Sequence, residues 1–266
     1  MSEKLFLLRK RIVQLAHKAG KNGAHVGGSL SCVDALYVLF SLIKYEKSNI
    51  EQRDRFILSK GHAALALYCV LEEKGILTSE DADSFEMNGS PYFAHAKRNI
   101  DKGIEFSGGS LSLGFSYGVG VAIACKNKEL DNKVYILLGD GECNEGLVWE
   151  AAMSASNYNL DNLVVIVDKN GIQSDGFTSD VLFIGSLKNK FEAFGFKTIE
   201  INGHSVEEIE VALKTEHNGV PLAIISNTIK GHGVSSMEND RKWHHGVVTD
   251  EILKIALYDI DKSMVK

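Results

Sequence analysis

Two turns thirty residues apart hold the groups best suited to chemistry: Gly139-Asp140-Gly141 and Asp168-Lys169-Asn170. Asp140 offers a carboxylate and Asn170 an amide oxygen. These are hard donors that suit Mg²⁺ or Ca²⁺ when diphosphate oxygens and water complete the shell. The glycines beside Asp140 let backbone approach a phosphate closely, and a helix starting just after them adds partial positive charge. Either turn alone reads as an ordinary strand-to-helix turn. The segment Gly139-x-Gly141-x-x-Asn144 also reads as a degenerate dinucleotide fingerprint, but its third glycine is absent. Its acids Asp140, Glu142 and Glu145 would repel a pyrophosphate that arrived without metal.

The elements around these turns follow from apolar spacing. VYILLGD from Val134, the acid-capped segment EGLVWEAAMSASNY and then NLVVIVDKN read as strand, helix, strand, which implies a right-handed parallel crossover. VYILL and LVVIV show no polar alternation, as expected of a parallel sheet covered on both faces. RFILS at 55–59 leads into Lys60-Gly61-His62, and PLAIISNTI at 221–229 follows the helical SVEEIEVALKT. Ser205 and Glu208 have the spacing of a capping box. Further helical patterns fall at about 3–19, 33–44 and 62–74. The predicted fold is α/β, a doubly wound, mainly parallel sheet flanked by helices, with ligands beyond the carboxyl ends of its strands. Residues 1–266 are read as a single unit.

Composition narrows the class. Apolar residues make up 44% and charged residues 24% of the 266, with a formal net charge of −6 spread along the chain. That balance favours neither a nucleic-acid surface nor a membrane-seeking patch, and no stretch approaches a membrane span. Cys32, Cys69, Cys125 and Cys143 form no CxxC pair, which suits reduced thiols in a cytoplasmic protein, with Cys143 read as packing rather than redox chemistry.

At this level the sequence resembles the transketolase family. GDGECNEGLVWEAAMSASNYNLDNLVVIVDKNGIQSDG is similar to the thiamine-diphosphate motif of that family. RDRFILSKGHAALALY resembles its Gly-His segment, GIEFSGGSLSLGFSYGVG its glycine-rich cofactor loop, and TIKGHGVSSMENDRKWHHG its late segment ending in Trp-His. With NGAHVGGSLS, these blocks run in family order through residues 22–245. The resemblance implies thiamine diphosphate held with Mg²⁺, for which Ca²⁺ or Mn²⁺ could substitute. Asp140, Asn170 and the carbonyl of Ile172 would be the metal ligands. Gly141 would touch the diphosphate, His62 would approach the diphosphate and thiazolium, and Gly109 and Leu111 would line the cofactor's other side. It implies that His25, His95 and His244 face the reacting sugar, with Lys230 near the same cleft, and places Glu145 at a subunit interface linking paired cofactor sites. Imidazoles there suit proton movement on sugar hydroxyls. Two positions depart from the family pattern: Val26 stands where proline is common, and Trp243-His244-His245-Gly246 carries an additional histidine.

The resemblance also implies missing parts. Transketolases continue into a pyrimidine-binding domain and a third domain, which carry the glutamate that activates the cofactor. This sequence is therefore expected to be the N-terminal subunit of a split transketolase, joined by a separate C-terminal subunit in an α₂β₂ heterotetramer. The expected reaction moves a two-carbon ketol group from a ketose, as sugar or sugar phosphate, to an aldose. Alternatives are one half of another split thiamine-diphosphate enzyme, such as a 2-oxo acid dehydrogenase or one acting on a specialised sugar, and a non-catalytic cofactor-binding protein.

Overall fold

Successive residues of the central strands enter two different cores. Tyr135, Leu137, Val164, Ile166, Leu222 and Ile224 belong to one buried cluster; Val134, Ile136, Leu138, Val165, Val167 and Ala223 belong to the other. A strand apolar at every position thus has a cluster to bury against on each face. The computed structural model describes residues 3–45 and 49–264. In chain order it contains α1 (Glu3–Lys18), α2 (Val26–Leu42), β1 (Arg55–Leu58), α3 (Ala64–Glu73), α4 (Ser79–Asp83), α5 (Leu113–Asn127) and β2 (Val134–Gly139). There follow α6 (Gly146–Asn157), β3 (Leu163–Lys169), α7 (Thr178–Val181), α8 (Leu187–Ala193), β4 (Lys197–Asn202), α9 (Val206–Leu213), β5 (Leu222–Asn227) and α10 (Asp250–Met264).

The five strands pair in the order β1-β2-β3-β5-β4, all parallel. Helices α1, α2, α3 and α9 contribute to the first cluster; α5, α6 and α8 contribute to the second. The sheet is therefore doubly wound, and its carboxyl ends at Leu58, Gly139, Lys169 and Asn227 open on one side. That is where ligands gather in such sheets.

Several local expectations shift. α2 begins at Val26 rather than near residue 33, so its N-terminus reaches the site residue His25. The stretch from Leu113, expected within a glycine-rich loop, is the helix α5. Ser205 caps α9 by accepting from the Glu208 N–H, but the box is incomplete: the Glu208 carboxylate accepts from the Asn202 N–H instead. The four cysteines are buried free thiols. No helix among the described residues is long and apolar enough to cross a membrane.

Candidate active site

The turns at the strand ends converge on a cleft of about 310 Å³ lined by His25, His62, His95, Gly109, Leu111, Asp140, Gly141, Asn170, Ile172, Lys230 and His244, among others. Every sequence-expected site residue except Glu145 is thus brought together. Glu145 sits exposed at the start of α6, outside the cleft lining.

Three loops form the near wall. The backbones after β1 and before α5 touch: a Cβ on Gly61 would lie 2.8 Å from Gly108 Cα, so neither position tolerates a side chain. Glu142, which follows the Asp140 turn, is buried and turned inward. It accepts from Ser59 Oγ (2.5 Å), the Ser112 N–H (2.7 Å) and the Gly139 N–H (3.0 Å). One carboxylate thereby binds the His62 turn, the Gly109–Leu111 loop and the β2 end together, and its charge is spent on these donors rather than on repelling an anion. Sequence places Glu142 among the repelling acids; its fixing role depends on contacts from residues 30 and 83 positions away.

The oxygen donors gather on the floor. Asp140 is 4% exposed and accepts from the N–H groups of Gly171 (2.7 Å) and Gly141 (2.9 Å). Burial, and then the neighbouring Asp168 charge, push its carboxyl up from the usual range. A bound cation would relieve both effects. Asn170 donates from Nδ2 to Asp168 (3.0 Å), which fixes the amide, and its Oδ1 accepts the Ile172 N–H at 3.1 Å while retaining a second lone pair. The Ile172 carbonyl accepts from Lys230 Nζ at 2.8 Å and retains a second lone pair. Carboxylate, amide oxygen and carbonyl together form an all-oxygen donor set whose chemistry fits a hard divalent cation.

Asp168 lies beneath this floor, fully buried. It is ion-paired with Lys60 and accepts from Ser31 Oγ (2.6 Å) and Thr228 Oγ1 (2.5 Å) as well as Asn170. The Lys60 charge holds its carboxyl below the usual range against burial. Sequence assigns neither Lys60 nor Asp168 a role, because a Lys before Gly-His and an Asp before Lys-Asn each read as turn residues.

Histidines form the far wall. His25 precedes α2; the Ala24↔Gly246 bridge, with bonds of 2.9 and 3.0 Å, joins its segment to that of His244. Its ring centroid lies 5.5 Å from those of His62 and His244 and 5.2 Å from that of His95. Burial foremost, then the neighbouring His245, His244, His95 and Lys230, lowers His25 to about 3, and burial followed by Lys230 lowers His244 to about 4. Both rings are thus neutral near pH 7 in the ligand-free chain. Lys230, buried and lowered to about 8 by desolvation first and Lys60 second, contacts His244 Nδ1 at 3.0 Å. An ammonium can only donate, so Nδ1 accepts and the His244 proton resides on Nε2. His25 differs: its buried Nδ1 has no hydrogen-bond partner among the described residues, so no contact at that nitrogen fixes its tautomer.

Comparison with known proteins gives the family and the fold. Residues 3–257 match the family described as transketolase, thiamine diphosphate binding domain. The chain is 41% identical over 263 residues to an apulose-4-phosphate transketolase subunit from Phocaeicola vulgatus, covering 97% of this chain and 92% of that one. It is 38% identical over 262 residues to the 6-deoxy-6-sulfo-D-fructose transketolase subunit SqwG of a Clostridium species, covering 97% and 94%. Among solved structures, transketolase from Campylobacter jejuni superposes with a TM-score of 0.87 at 32% identity, covering 97% of this chain and 42% of that one. Transketolase from Leishmania mexicana superposes at 0.85 and 27% identity, covering 99% and 45%. This chain therefore spans less than half the length of those solved transketolases. Cleft, fold and sequence together place the chain in the transketolase family, as a thiamine-diphosphate-binding domain.

Proposed function

We propose that this chain is the N-terminal, cofactor-holding subunit of a split transketolase, which moves a two-carbon ketol unit from a ketose to an aldose together with a separate C-terminal subunit. The observation that carries the reading is the union, in one cleft, of an oxygen cradle (Asp140, Asn170, Ile172) with a set of imidazoles (His25, His62, His95, His244). A bare cofactor-binding protein needs the cradle but not the far wall. Relatives of nearly the same length are named as transketolase subunits, which supports a partner chain, and α₂β₂ is the assembly we expect.

When bound, thiamine diphosphate supplies the carbanion chemistry that breaks and forms the carbon–carbon bond. Asp140, Asn170 and the Ile172 carbonyl would hold Mg²⁺ as a template for the diphosphate, and Gly141 admits close approach of its oxygens. The space a Cβ on Gly141 would take is filled by Gln173, whose Cβ would lie 3.0 Å away, so only glycine fits there without moving that side chain. Gly109, with φ +146° and open space around its missing Cβ, borders the same volume beside Leu111. His244 presents Nε2–H as a donor to a substrate oxygen. Neutral His25, with no contact at Nδ1 to fix its tautomer, can take a hydroxyl proton at one nitrogen and return it, and His95 extends the row toward the opening. Glu145, exposed near the cleft, is assigned to the contact between subunits rather than to the cofactor.

The test is reconstitution. The chain, its candidate C-terminal partner, thiamine diphosphate and Mg²⁺ are combined and ketol transfer is assayed over a panel of ketoses and aldoses. Transfer that requires both chains is expected. A folded, cofactor-loaded complex inactive on the whole panel would refute the enzyme reading in favour of a binding protein, whereas activity on 2-oxo acids would point to the oxo-acid enzymes.

A further inference from the structure

The imidazoles are graded in depth, and one of the two exposed rings is not one of the expected site residues. His25 is the hub: a fourth ring, His245, approaches its centroid to 4.7 Å, edge to face, closer than His62, His95 or His244. His95 and His245 are exposed, while His25 and His244 are half-buried. His245 also stands outside the cavity that holds the oxygen cradle. Exposed and packed on His25, it occupies the rim beside the groups assigned to the reacting carbons.

The backbone holds this ring in place. His245 is extended (φ −145°, ψ 124°) between the short turn Arg241–His244 and the two-bond bridge of Ala24 with Gly246. On its other side is Gly23, where φ is +68° and an added Cβ would lie 2.9 Å from His245 Cε1. Backbone on one side and His25 on the other therefore orient the imidazole. Yet among the described residues neither His245 nor His95 makes a hydrogen bond through its ring nitrogens. Two oriented, unbonded imidazoles at the opening of a polar cleft each offer one donor and one acceptor, which matches a hydroxyl group, itself both donor and acceptor. A terminal phosphate would call instead for fixed cations. Of the basic residues just before this ring, Arg241 donates to the Asp175 carbonyl at 3.3 Å.

We propose that His245 is a specificity residue, which together with His95 binds a hydroxyl on the outward-projecting carbons of the sugar and so selects ketoses by the configuration there. The proposal rests on the sugar-transfer reading of the cleft and adds to it the substrate feature that the rim reads. Two readouts separate them. In the reconstituted complex, kcat/KM is measured for His245→Leu and His245→Gln with a transferred ketose and with analogues lacking one outer hydroxyl at a time. Loss of one exposed hydrogen bond predicts a drop of about tenfold for His245→Leu with the full ketose, vanishing for one deoxy analogue, with partial recovery in His245→Gln. Thiamine diphosphate affinity should not change. Equal loss across all analogues, or loss that depends only on the presence of phosphate, overturns the proposal. The second readout needs no turnover: the Cε1–H resonance of His245, assigned from His245→Gln, is followed in the cofactor-loaded complex on addition of fructose, fructose 6-phosphate or inorganic phosphate. A saturable shift with both sugars supports the proposal even if transfer fails. A shift with phosphate-bearing probes alone, or with none, overturns it.

Discussion

At the scale of single residues, the cleft distinguishes groups that bind from groups that orient them. Asp140 is a buried carboxylate beside another negative charge, and burial with that charge raises its pKa, a cost that a bound cation would relieve. Asp140→Ala should therefore weaken Mg²⁺-dependent thiamine diphosphate binding by about 100-fold or more, since removing even an outer-shell partner of a metal typically costs about 10- to 100-fold. Isothermal calorimetry in the presence and absence of Mg²⁺ checks this, and an unchanged affinity would remove Asp140 from the cradle. Asp140 and Asn170 are legible in the sequence because each lies at the end of an apolar strand, where a turn must expose it. Asp168 is not, although it adjoins them. Its function as the anchor of the Asn170 amide is set by Lys60, Ser31 and Thr228, which arrive from three other segments.

At the scale of elements, the site depends on loops locked by buried polar groups, and this is where sequence patterns fall silent. β4 escapes a sequence reading because KTIEIN buries only Ile201 fully, as an edge strand can. α5 escapes it because its glycines look like a loop, yet they are what lets the helix lie down: a Cβ at Gly114 would be 2.6 Å from Ser59 Cα, and one at Gly118 would overlap Ile136 Cδ1. The apolar cores of β2, β3 and β5 are visible, since uninterrupted apolar runs carry their own signal. Glu142→Ala tests the loop clamp. It orphans donors on Ser59, Ser112 and Gly139, each costing about 1–3 kcal/mol if left buried and unpaired. Expected are a clearly lowered melting temperature and weakened cofactor binding, with Glu142→Gln intermediate; wild-type melting in Glu142→Ala would dismiss the clamp. A second lock lies behind Lys230. His204 Nε2 accepts the Ile229 N–H at 2.9 Å, so its Nδ1–H donates to Asp34 at 2.7 Å, and Asp34 is gripped by Arg9. If this series of contacts positions Lys230, His204→Phe and Lys230→Met should lower kcat/KM of the reconstituted complex non-additively. Strict additivity of the two losses would assign His204 to stability alone.

At the scale of the whole molecule, the histidines that furnish the site make folding depend on pH. Burial, then like-charged neighbours, lowers His25 to about 3 and His244 to about 4 in the folded chain; burial and then His204 lower His232 to about 4. Unfolded histidine titrates near pH 6.5. As pH falls through that value the unfolded chain takes up protons at these positions and the folded chain does not, so stability falls with acid. Each such histidine contributes a slope of at most about 1.4 kcal/mol per pH unit between roughly pH 6 and 5. The carboxyls of Asp140 and Glu142 oppose this lower down, because burial raises them and the folded chain then holds the extra protons. The net prediction is a cofactor-free chain that loses stability from pH 7 to pH 5, with the loss tapering as the carboxyls begin to titrate. Urea unfolding across this range measures it, and His244→Asn, which removes one neutral buried imidazole, should flatten the dependence by about one proton's worth. His232 lies outside the cleft lining, so His232→Asn should flatten it similarly while leaving cofactor affinity intact. Stability that is constant or rises from pH 7 to pH 5 would mean that these rings accept protons in the folded chain, and with them would go the argument that His25 and His244 meet the substrate as neutral bases.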